Sequence, residues 1–337
     1  MNYKLNNFEA IMIIVTLLCT KLFVAYPLIE SAFSGIQMIL INLIAFFAVW
    51  LIFFVSSKFK FTTFHALKGI LLSILTIVTV VFTGVNFSKF VFSLKWSLLN
   101  NSPETFISII LLVGIIFGVF SGIKGIGRLC GFFTPLILIT SVMLIIPAFK
   151  GFRFQNLFPV FGSGIKETFL FGLFMLSSLW EAVFISFIPP FLKKRDSLSH
   201  IVTFSFLISF LFYAFVGVAV VLIKTGNVSE FSEIFKIIRT INPLSFSERP
   251  DSVFYILYVL LVLLYFSVIV FFVKHIFSEY FKVKYSDELI LPFVLLIAQA
   301  GFTVLDYTYV RAVYDTMFNA MWLIPVLLPI FFYRRKT

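Results

Sequence analysis

The chain has 337 residues, of which 61% are hydrophobic and only 12% are charged. Soluble domains have about 45–50% apolar and about 25% charged residues, so this composition excludes a water-soluble protein and is typical of an integral membrane protein. The formal net charge of +11 does not indicate binding to nucleic acid, because the basic residues lie singly or in twos and threes between apolar runs.

Apolar runs of the length that a bilayer requires, about 20 residues with a range of about 17–25, recur along the whole sequence. They predict ten transmembrane helices, which span residues 8–29, 35–55, 69–92, 105–121, 130–149, 168–190, 198–223, 252–274, 288–305 and 316–333. We therefore expect an all-α membrane protein with one polytopic domain over residues 1–337. Its helices 1–5 occupy about 8–149 and its helices 6–10 about 168–333.

The distribution of Lys and Arg between the predicted loops indicates the orientation in the membrane. With a cytoplasmic N-terminus, 15 basic residues fall on the inside and 10 on the outside. The basic clusters at 193–195 and 334–336 both fall inside. We therefore expect both termini to be cytoplasmic.

Two ionisable residues, Lys21 and Glu181, lie well within predicted spans. A charged side chain at the centre of a transmembrane helix costs at least about 2.5–3.5 kcal/mol, so it normally faces the bundle interior, is paired or lines a cavity. Lys21 has a second option, which is to extend its long side chain to the outer surface. Glu181 is shorter and lacks that option.

Lys21 and Glu181 occupy the first helix of each half of a ten-helix chain. Transporters built from two inverted five-helix repeats hold their substrate at unwound segments in the middle of those two helices. We therefore expect a five-plus-five inverted repeat in which helices 1 and 6 are broken. Thr83 and Tyr265 could face the same cavity, and the candidate ligand-binding residues are Thr20, Lys21, Asn86, Ser177, Ser178, Trp180, Glu181 and Tyr258. The alternative for each hydroxyl is a hydrogen bond back to its own helix.

Motifs that carry enzymatic chemistry are not found in this sequence. It contains no Walker A loop, no GxSxG elbow and no HExxH pair. The two cysteines and three histidines have no metal-ligand spacing, so neither a metal nor a cofactor is expected.

An ordered set of short motifs resembles one family, the B subunits of the GerA-type spore germination receptors. The motifs are Asn156–Ile165 (NLFPVFGSGI), Trp180-Glu181, Pro190–Arg195 (PFLKKR), Ser247–Phe254 (SERPDSVF), Gly125–Arg128 (GIGR) and the proline at Pro27. The resemblance runs across nearly the whole chain.

This resemblance implies the fold of the amino-acid/polyamine/organocation permease superfamily, which is leucine-transporter-like. It also implies location in the inner membrane of a spore. The partners that it implies are a small-molecule germinant such as an amino acid, an A subunit, a C-subunit lipoprotein and the lipid bilayer.

The sequence departs from the family at Cys19–Leu22, where relatives carry a glycine-containing break and this chain has no glycine. Either helix 1 still opens at Thr20 and Lys21, or Lys21 supplies the positive charge that an opened helix would offer. We favour the second interpretation, in which Lys21 contacts an anionic group of the ligand or pairs with Glu181 in its absence. A purely structural Lys21–Glu181 bridge is the alternative.

The sequence leaves three functional hypotheses open. The first is a germinant-sensing, permease-like subunit whose ligand shifts the populations of its conformations. The second is an amino-acid secondary transporter that is coupled to protons through Glu181. The third is a scaffold or ion conduit within a germination complex that binds no small molecule.

Overall fold

The computed structural model describes residues 4–24, 34–58, 65–97, 99, 101–145, 152–193, 197–223 and 251–306. The predicted tenth span, 316–333, lies outside these residues. Within them the protein is all-helical, apart from one pair of residues, Leu5 and Leu192, that forms an isolated parallel β-bridge.

Nine α-helices lie within the described residues. They are α1 Asn7–Val24, α2 Gly35–Lys58, α3 His65–Ser97, α4 Glu104–Phe120, α5 Gly122–Ile145, α6 Ile165–Ser178, α7 Leu198–Ile223, α8 Asp251–Phe281 and α9 Ile290–Asp306. A 3₁₀ helix, Trp180–Phe187, follows α6.

Six of the described helices are long and apolar enough to cross a membrane, and there are seven spans if α6 and the 3₁₀ helix are counted as one bent span. The protein is therefore a multi-pass membrane protein. Side chains on the outer faces support this, because α4 exposes an apolar stripe of Phe106, Ile110, Val113 and Phe117. An exposed apolar stripe of this kind is suited to contact with lipid.

The observed helices extend several of the predicted spans. The helix predicted over 69–92 runs from His65 to Ser97, so Lys95 lies on α3 and not beyond its end. The helix predicted over 130–149 begins earlier, at Gly122, whose φ of 71° suits glycine at the tight turn after α4.

The break expected in helix 1 is wrong for residues 7–24, because α1 is continuous from Asn7 to Val24. An opening at Thr20 and Lys21, the first of the two alternatives, is therefore not observed, and the favoured alternative, in which Lys21 supplies the positive charge, stays a prediction. The stretch contains no glycine or proline to favour an opening, and a continuous helix satisfies every backbone group in an apolar environment. Helix 6 is broken as predicted, at Leu179.

The helices α1 and α8 form the centre of the bundle. Every residue of α1 from Met12 to Leu22 is buried, as is every residue of α8 from Leu264 to Lys274. Around this centre, α1 packs against α5, α7 and α8, and α2 packs against α6 and α7. The buried Gln37 of α2 adds a polar contact, since its amide donates to Thr168 of α6 at 2.9 Å.

The close crossing of α3 and α9 depends on two glycines, Gly84 and Gly301. A Cβ atom on Gly84 would meet the backbone of Ile297 and, at 2.8 Å, the amide nitrogen of Gly301. A Cβ atom on Gly301 would meet the carbonyl oxygen of Gly84. Small residues allow helix backbones to approach closely in membranes, where packing replaces the hydrophobic effect as the force between helices.

We predict that Gly84→Ala or Gly301→Ala destabilises the protein by about 1–3 kcal/mol, because the added methyl group meets backbone atoms that cannot move aside. Thermal unfolding of the purified protein in detergent measures the effect. Gly114→Ala is the matched control, since its Cβ would meet only side-chain atoms of Leu263, at 3.2 Å. Equal unfolding temperatures for all three variants would contradict the proposed role of this crossing.

Candidate functional site

Helix 6 consists of α6 and the 3₁₀ helix that follows it, and its geometry changes from α to 3₁₀ at Leu179, within the protein interior. The helix α6 ends at Ser178, and the 3₁₀ helix Trp180–Phe187 continues at an angle of 48°. The backbone N–H of Leu179 donates to the carbonyl of Leu176 at 3.0 Å, so the hydrogen-bonding interval has shortened from four residues to three. A 3₁₀ run of 8 residues is longer than usual, and such runs within a helix often mark a functional hinge.

An ion pair joins α1 to the start of this 3₁₀ helix. The Nζ atom of Lys21 donates to Oε2 of Glu181 at 3.0 Å, and the side chains of Lys21 and Glu181 are only 2% and 0% exposed. Each charge alone would carry a penalty of several kcal/mol at this depth, and pairing compensates both. The pair therefore fixes α1 against helix 6 immediately after the bend.

The other carboxylate oxygen of Glu181 is also hydrogen-bonded. The hydroxyl group of Tyr265, on α8, donates to Oε1 of Glu181 at 2.8 Å. The side-chain amide of Asn86, on α3, donates in turn to the Tyr265 hydroxyl at 3.3 Å. Hydrogen bonds to an ionised acceptor are about twice as strong as neutral ones, so the carboxylate holds α1, α3, α8 and the 3₁₀ helix together.

Aromatic rings surround the ion pair. The Nζ atom of Lys21 lies 5.4 Å from the centroid of the Trp180 ring, within the range of a cation–π interaction. The Trp180 ring contacts Phe82 of α3, with centroids 6.3 Å apart, and Phe184 stacks on Phe272 of α8 at 5.6 Å. These contacts fix the 3₁₀ helix in the core and exclude other groups from the apolar side of the pair.

Several buried polar atoms near the bend have no hydrogen-bond partner among the described residues. Those on or next to the predicted site residues are the hydroxyl oxygens of Thr20, Thr83, Ser177 and Ser178 and the indole nitrogen of Trp180. Most buried polar groups in proteins are hydrogen-bonded, and an unsatisfied group costs about 1–3 kcal/mol. A cluster of such groups beside an ion pair is suited to a polar solute that supplies the missing partners.

Seven of the eight predicted residues lie in one region around the ion pair. Tyr258 lies farther from the pair, toward the start of α8. The ring of Tyr258 packs edge-on against Phe90, with centroids 5.3 Å apart, two helical turns before Tyr265. It is Tyr265 that donates to Glu181. The sequence indicated Tyr265 only as a residue that could face the cavity.

A contact that the sequence did not indicate comes from α7. The hydroxyl group of Tyr213 donates to the backbone carbonyl of Leu18 at 2.9 Å, one turn before Lys21. A tyrosine in an apolar helix gives no signal of its partner, since the contact depends on how α7 crosses α1.

The chemistry of the site is that of one cation and one anion in direct contact. A solute carboxylate complements Lys21, and a solute ammonium group complements Glu181. Among the described residues, no three His, Cys, Asp or Glu side chains lie close enough together to hold a metal ion.

Comparison with known proteins assigns the family. The family model described as "Spore germination protein" matches residues 63–305, which include Glu181 and Tyr265. Spore germination protein B2 of Bacillus subtilis (strain 168) is 29% identical over 119 residues, which cover 35% of this chain and 32% of that relative. The chain thus matches about a third of the relative's length. Since the family model covers most of the chain, this protein belongs to the spore germination protein family of permease-like membrane proteins.

Proposed function

We propose that this protein is the solute-sensing, permease-like subunit of a spore germination receptor and that it binds a small solute such as an amino acid in the middle of the membrane. The observation that carries this proposal is the buried Lys21–Glu181 pair at the bend of helix 6, beside hydroxyl groups that have no hydrogen-bond partner among the described residues. An amino acid carries both a carboxylate and an ammonium group, and these complement the two members of the pair.

In this proposal, solute binding changes the conformation by competing with the ion pair. A solute carboxylate on Lys21 weakens the hold of Lys21 on Glu181, and the bend at Leu179 is the point where helix 6 can then move. A ligand shifts an equilibrium only by its differential affinity for the two states. In this proposal the solute stabilises a second state, in which Lys21 and Glu181 are farther apart than the 3.0 Å of the paired state.

A second candidate function is secondary transport of an amino acid coupled to protons through Glu181. The observation that favours it is a buried carboxylate at the bend that is paired with Lys21 and accepts a hydrogen bond from the Tyr265 hydroxyl. Protonation of Glu181 would remove the ion pair and weaken the hydrogen bond from Tyr265. Uptake of labelled amino acid into proteoliposomes distinguishes transport from sensing.

We further propose the leucine-transporter-like arrangement of ten helices in two inverted repeats. In an inverted repeat each helix corresponds to the helix five places further on, so helix 1 corresponds to 6, 2 to 7, 3 to 8 and 4 to 9. A contact between α1 and α7 should therefore have a counterpart between α6 and α2, and both contacts are present. A contact between α3 and α9 should likewise have a counterpart between α8 and α4, and both of these are present as well. This pairing supports a pseudo-two-fold relation between the halves.

The family also supports proposals about location and partners. We place the protein in the inner membrane of the spore, with both termini in the cytoplasm, where it assembles with an A subunit and a C-subunit lipoprotein. Ligand binding would then be relayed to these partners, and the subunit itself would perform no catalysis.

The ion pair yields a prediction about stability. Lys21→Met or Glu181→Gln alone should destabilise the protein by about 3–5 kcal/mol, because each leaves a buried charge or a broken network. The double variant Lys21→Met/Glu181→Gln should be more stable than Lys21→Met, since it leaves no buried charge. Thermal unfolding in detergent measures all three. Additive losses in the double variant would show that the two side chains are not coupled.

The binding site yields a prediction about ligands. One or more of the twenty amino acids should raise the unfolding temperature of the purified subunit, by an amount equivalent to about 2.7 kcal/mol at 100 times Kd. The Lys21→Met/Glu181→Gln variant should lose this response, and spores that carry Lys21→Met should lose germination triggered by the same amino acid. Lys95→Met is the matched control, because it breaks the half-exposed Lys95–Glu104 pair at the end of α3 and should leave the response intact.

Two outcomes would contradict this prediction. Unchanged germination with Lys21→Met would remove Lys21 from the site. A panel in which no amino acid shifts the unfolding temperature would favour a scaffold or ion conduit.

The proposed topology predicts that reporters fused to the two termini give the same result. Enzymes active only in the cytoplasm should be active at both ends, because an even number of spans returns the chain to its starting side. Activity at one end alone would require an odd number of spans and would exclude the inverted repeat of ten helices.

A further inference from the structure

An exposed lysine interrupts the most deeply buried part of α3. From Phe82 to Val91 every residue of α3 is buried except Lys89, which is exposed. This stretch makes nearly three helical turns, so neighbouring elements cover all sides of the helix. The exposure of Lys89 therefore shows a local opening at this level.

The opening does not lie on the lipid-facing side of α3. That side is marked by Ile70, Ile74 and Ile77, which are 59%, 53% and 64% exposed. At about 100° per residue, Lys89 points roughly 90° away from this stripe and close to the directions of Phe82 and Asn86. A lipid-facing position would also expose the residues one turn earlier, yet Val85 and Asn86 are 1% and 2% exposed.

Phe82, Asn86, Lys89 and Ser93 form one face of α3, and this face leads to the ion pair. Phe82 contacts the Trp180 ring, Asn86 donates to Tyr265 one turn farther out, and Lys89 follows at the next turn. Ser93, one more turn outward, is half-buried. The face thus runs from the solute site toward the end of α3.

We propose that this face of α3 borders a water-accessible entrance to the Lys21–Glu181 site and that Lys89 selects solutes with a carboxylate or another anionic group. The selection rests on the proposed function, because it assigns the entrance to a solute. Charges of one sign along an entrance raise the local concentration of oppositely charged ligands and speed their association. Lys89 therefore attracts the carboxylate first and Lys21 binds it at the end of the path.

Access to water can be tested with a cysteine at Lys89. Lys95 of α3 contacts Glu104 of α4 at 2.6 Å, so these two residues mark a common level. Lys89 lies six residues before Lys95 on α3, and Ile110 lies six residues after Glu104 on α4. Each is therefore about 9 Å along its helix from the Lys95–Glu104 contact, on the inner side of it. Ile110 is 55% exposed on the lipid-facing stripe of α4, so Ile110→Cys is a control at matched depth.

The probe is 2-sulfonatoethyl methanethiosulfonate, a membrane-impermeant anion, applied to the outside of right-side-out membrane vesicles. Lys89→Cys should react at least about tenfold faster than Ile110→Cys, because only the thiolate reacts and it forms in water. The chain without an introduced cysteine is the blank, since Cys19 and Cys130 are both 0% exposed. An unfolding temperature close to that of the unchanged chain shows that Lys89→Cys is folded.

The selective role of Lys89 is tested with a reporter cysteine at Ser93. The reaction rate of Ser93→Cys is measured with the sulfonatoethyl reagent and with its cationic trimethylammonium counterpart. In the Lys89→Gln background the ratio of anionic to cationic rates should fall roughly threefold or more, as expected for one charge about a turn away in a hydrated environment.

Each negative result overturns a defined part of the proposal. If Lys89→Cys is as unreactive as Ile110→Cys, Lys89 extends its ammonium group to lipid phosphates and there is no entrance. If the rate ratio at Ser93→Cys is unchanged by Lys89→Gln, Lys89 does not select anions. Neither assay uses an amino acid, so these results are independent of whether the proposed solute site binds one.

Discussion

The structure depends on the requirement that a charge in the interior of a membrane protein be compensated. Lys21 of α1 and Glu181 of the 3₁₀ helix are both buried, and their charged groups are 3.0 Å apart. Their contact determines how α1 approaches helix 6, and Tyr265 and Asn86 bring α8 and α3 to the same carboxylate. Buried ion pairs are seldom the most stable choice for a core, since apolar side chains of similar size often serve as well or better. The presence of such a pair here supports the functional role that we propose for it.

The bend of helix 6 and the continuity of α1 give the two helices different mechanical properties. The helix α1 is continuous from Asn7 through Lys21, whereas helix 6 changes direction and hydrogen-bonding pattern directly before Glu181. Beyond the 3₁₀ helix the chain contacts the residues that precede α1, where the backbone N–H of Leu5 donates to the carbonyl of Phe191 at 2.7 Å. The ion pair and this contact thus hold helix 6 and the chain after it against α1 and the residues before it. A solute that separates the ion pair would leave the second contact in place.

The sequence predicted the class of fold and the central ion pair because both follow from the high free energy of placing charged or polar groups in contact with lipid. Long apolar runs located the spans, and charges within them located Lys21 and Glu181. The break expected in helix 1 by analogy with inverted-repeat transporters is wrong for α1, and the absence of glycine at Cys19–Leu22 is the sequence feature that agrees with the continuous helix. The partners of Glu181 were indicated only in part. Asn86 and Tyr265 were both named, but their hydrogen bonds depend on helix rotations and crossing angles, which a single sequence does not encode visibly. The third span was predicted to end at residue 92, so Lys95 was expected beyond the helix, whereas α3 continues to Ser97.

The central claim is that the Lys21–Glu181 pair is the binding element for a solute. The most direct measurement is an experimental structure of the protein with an amino acid that stabilises it. Our account predicts that the solute lies beside Leu179, with its carboxylate within hydrogen-bonding distance of Lys21 Nζ, and that the separation of Lys21 and Glu181 exceeds the 3.0 Å observed here. A solute bound elsewhere, with the ion pair intact, would contradict it.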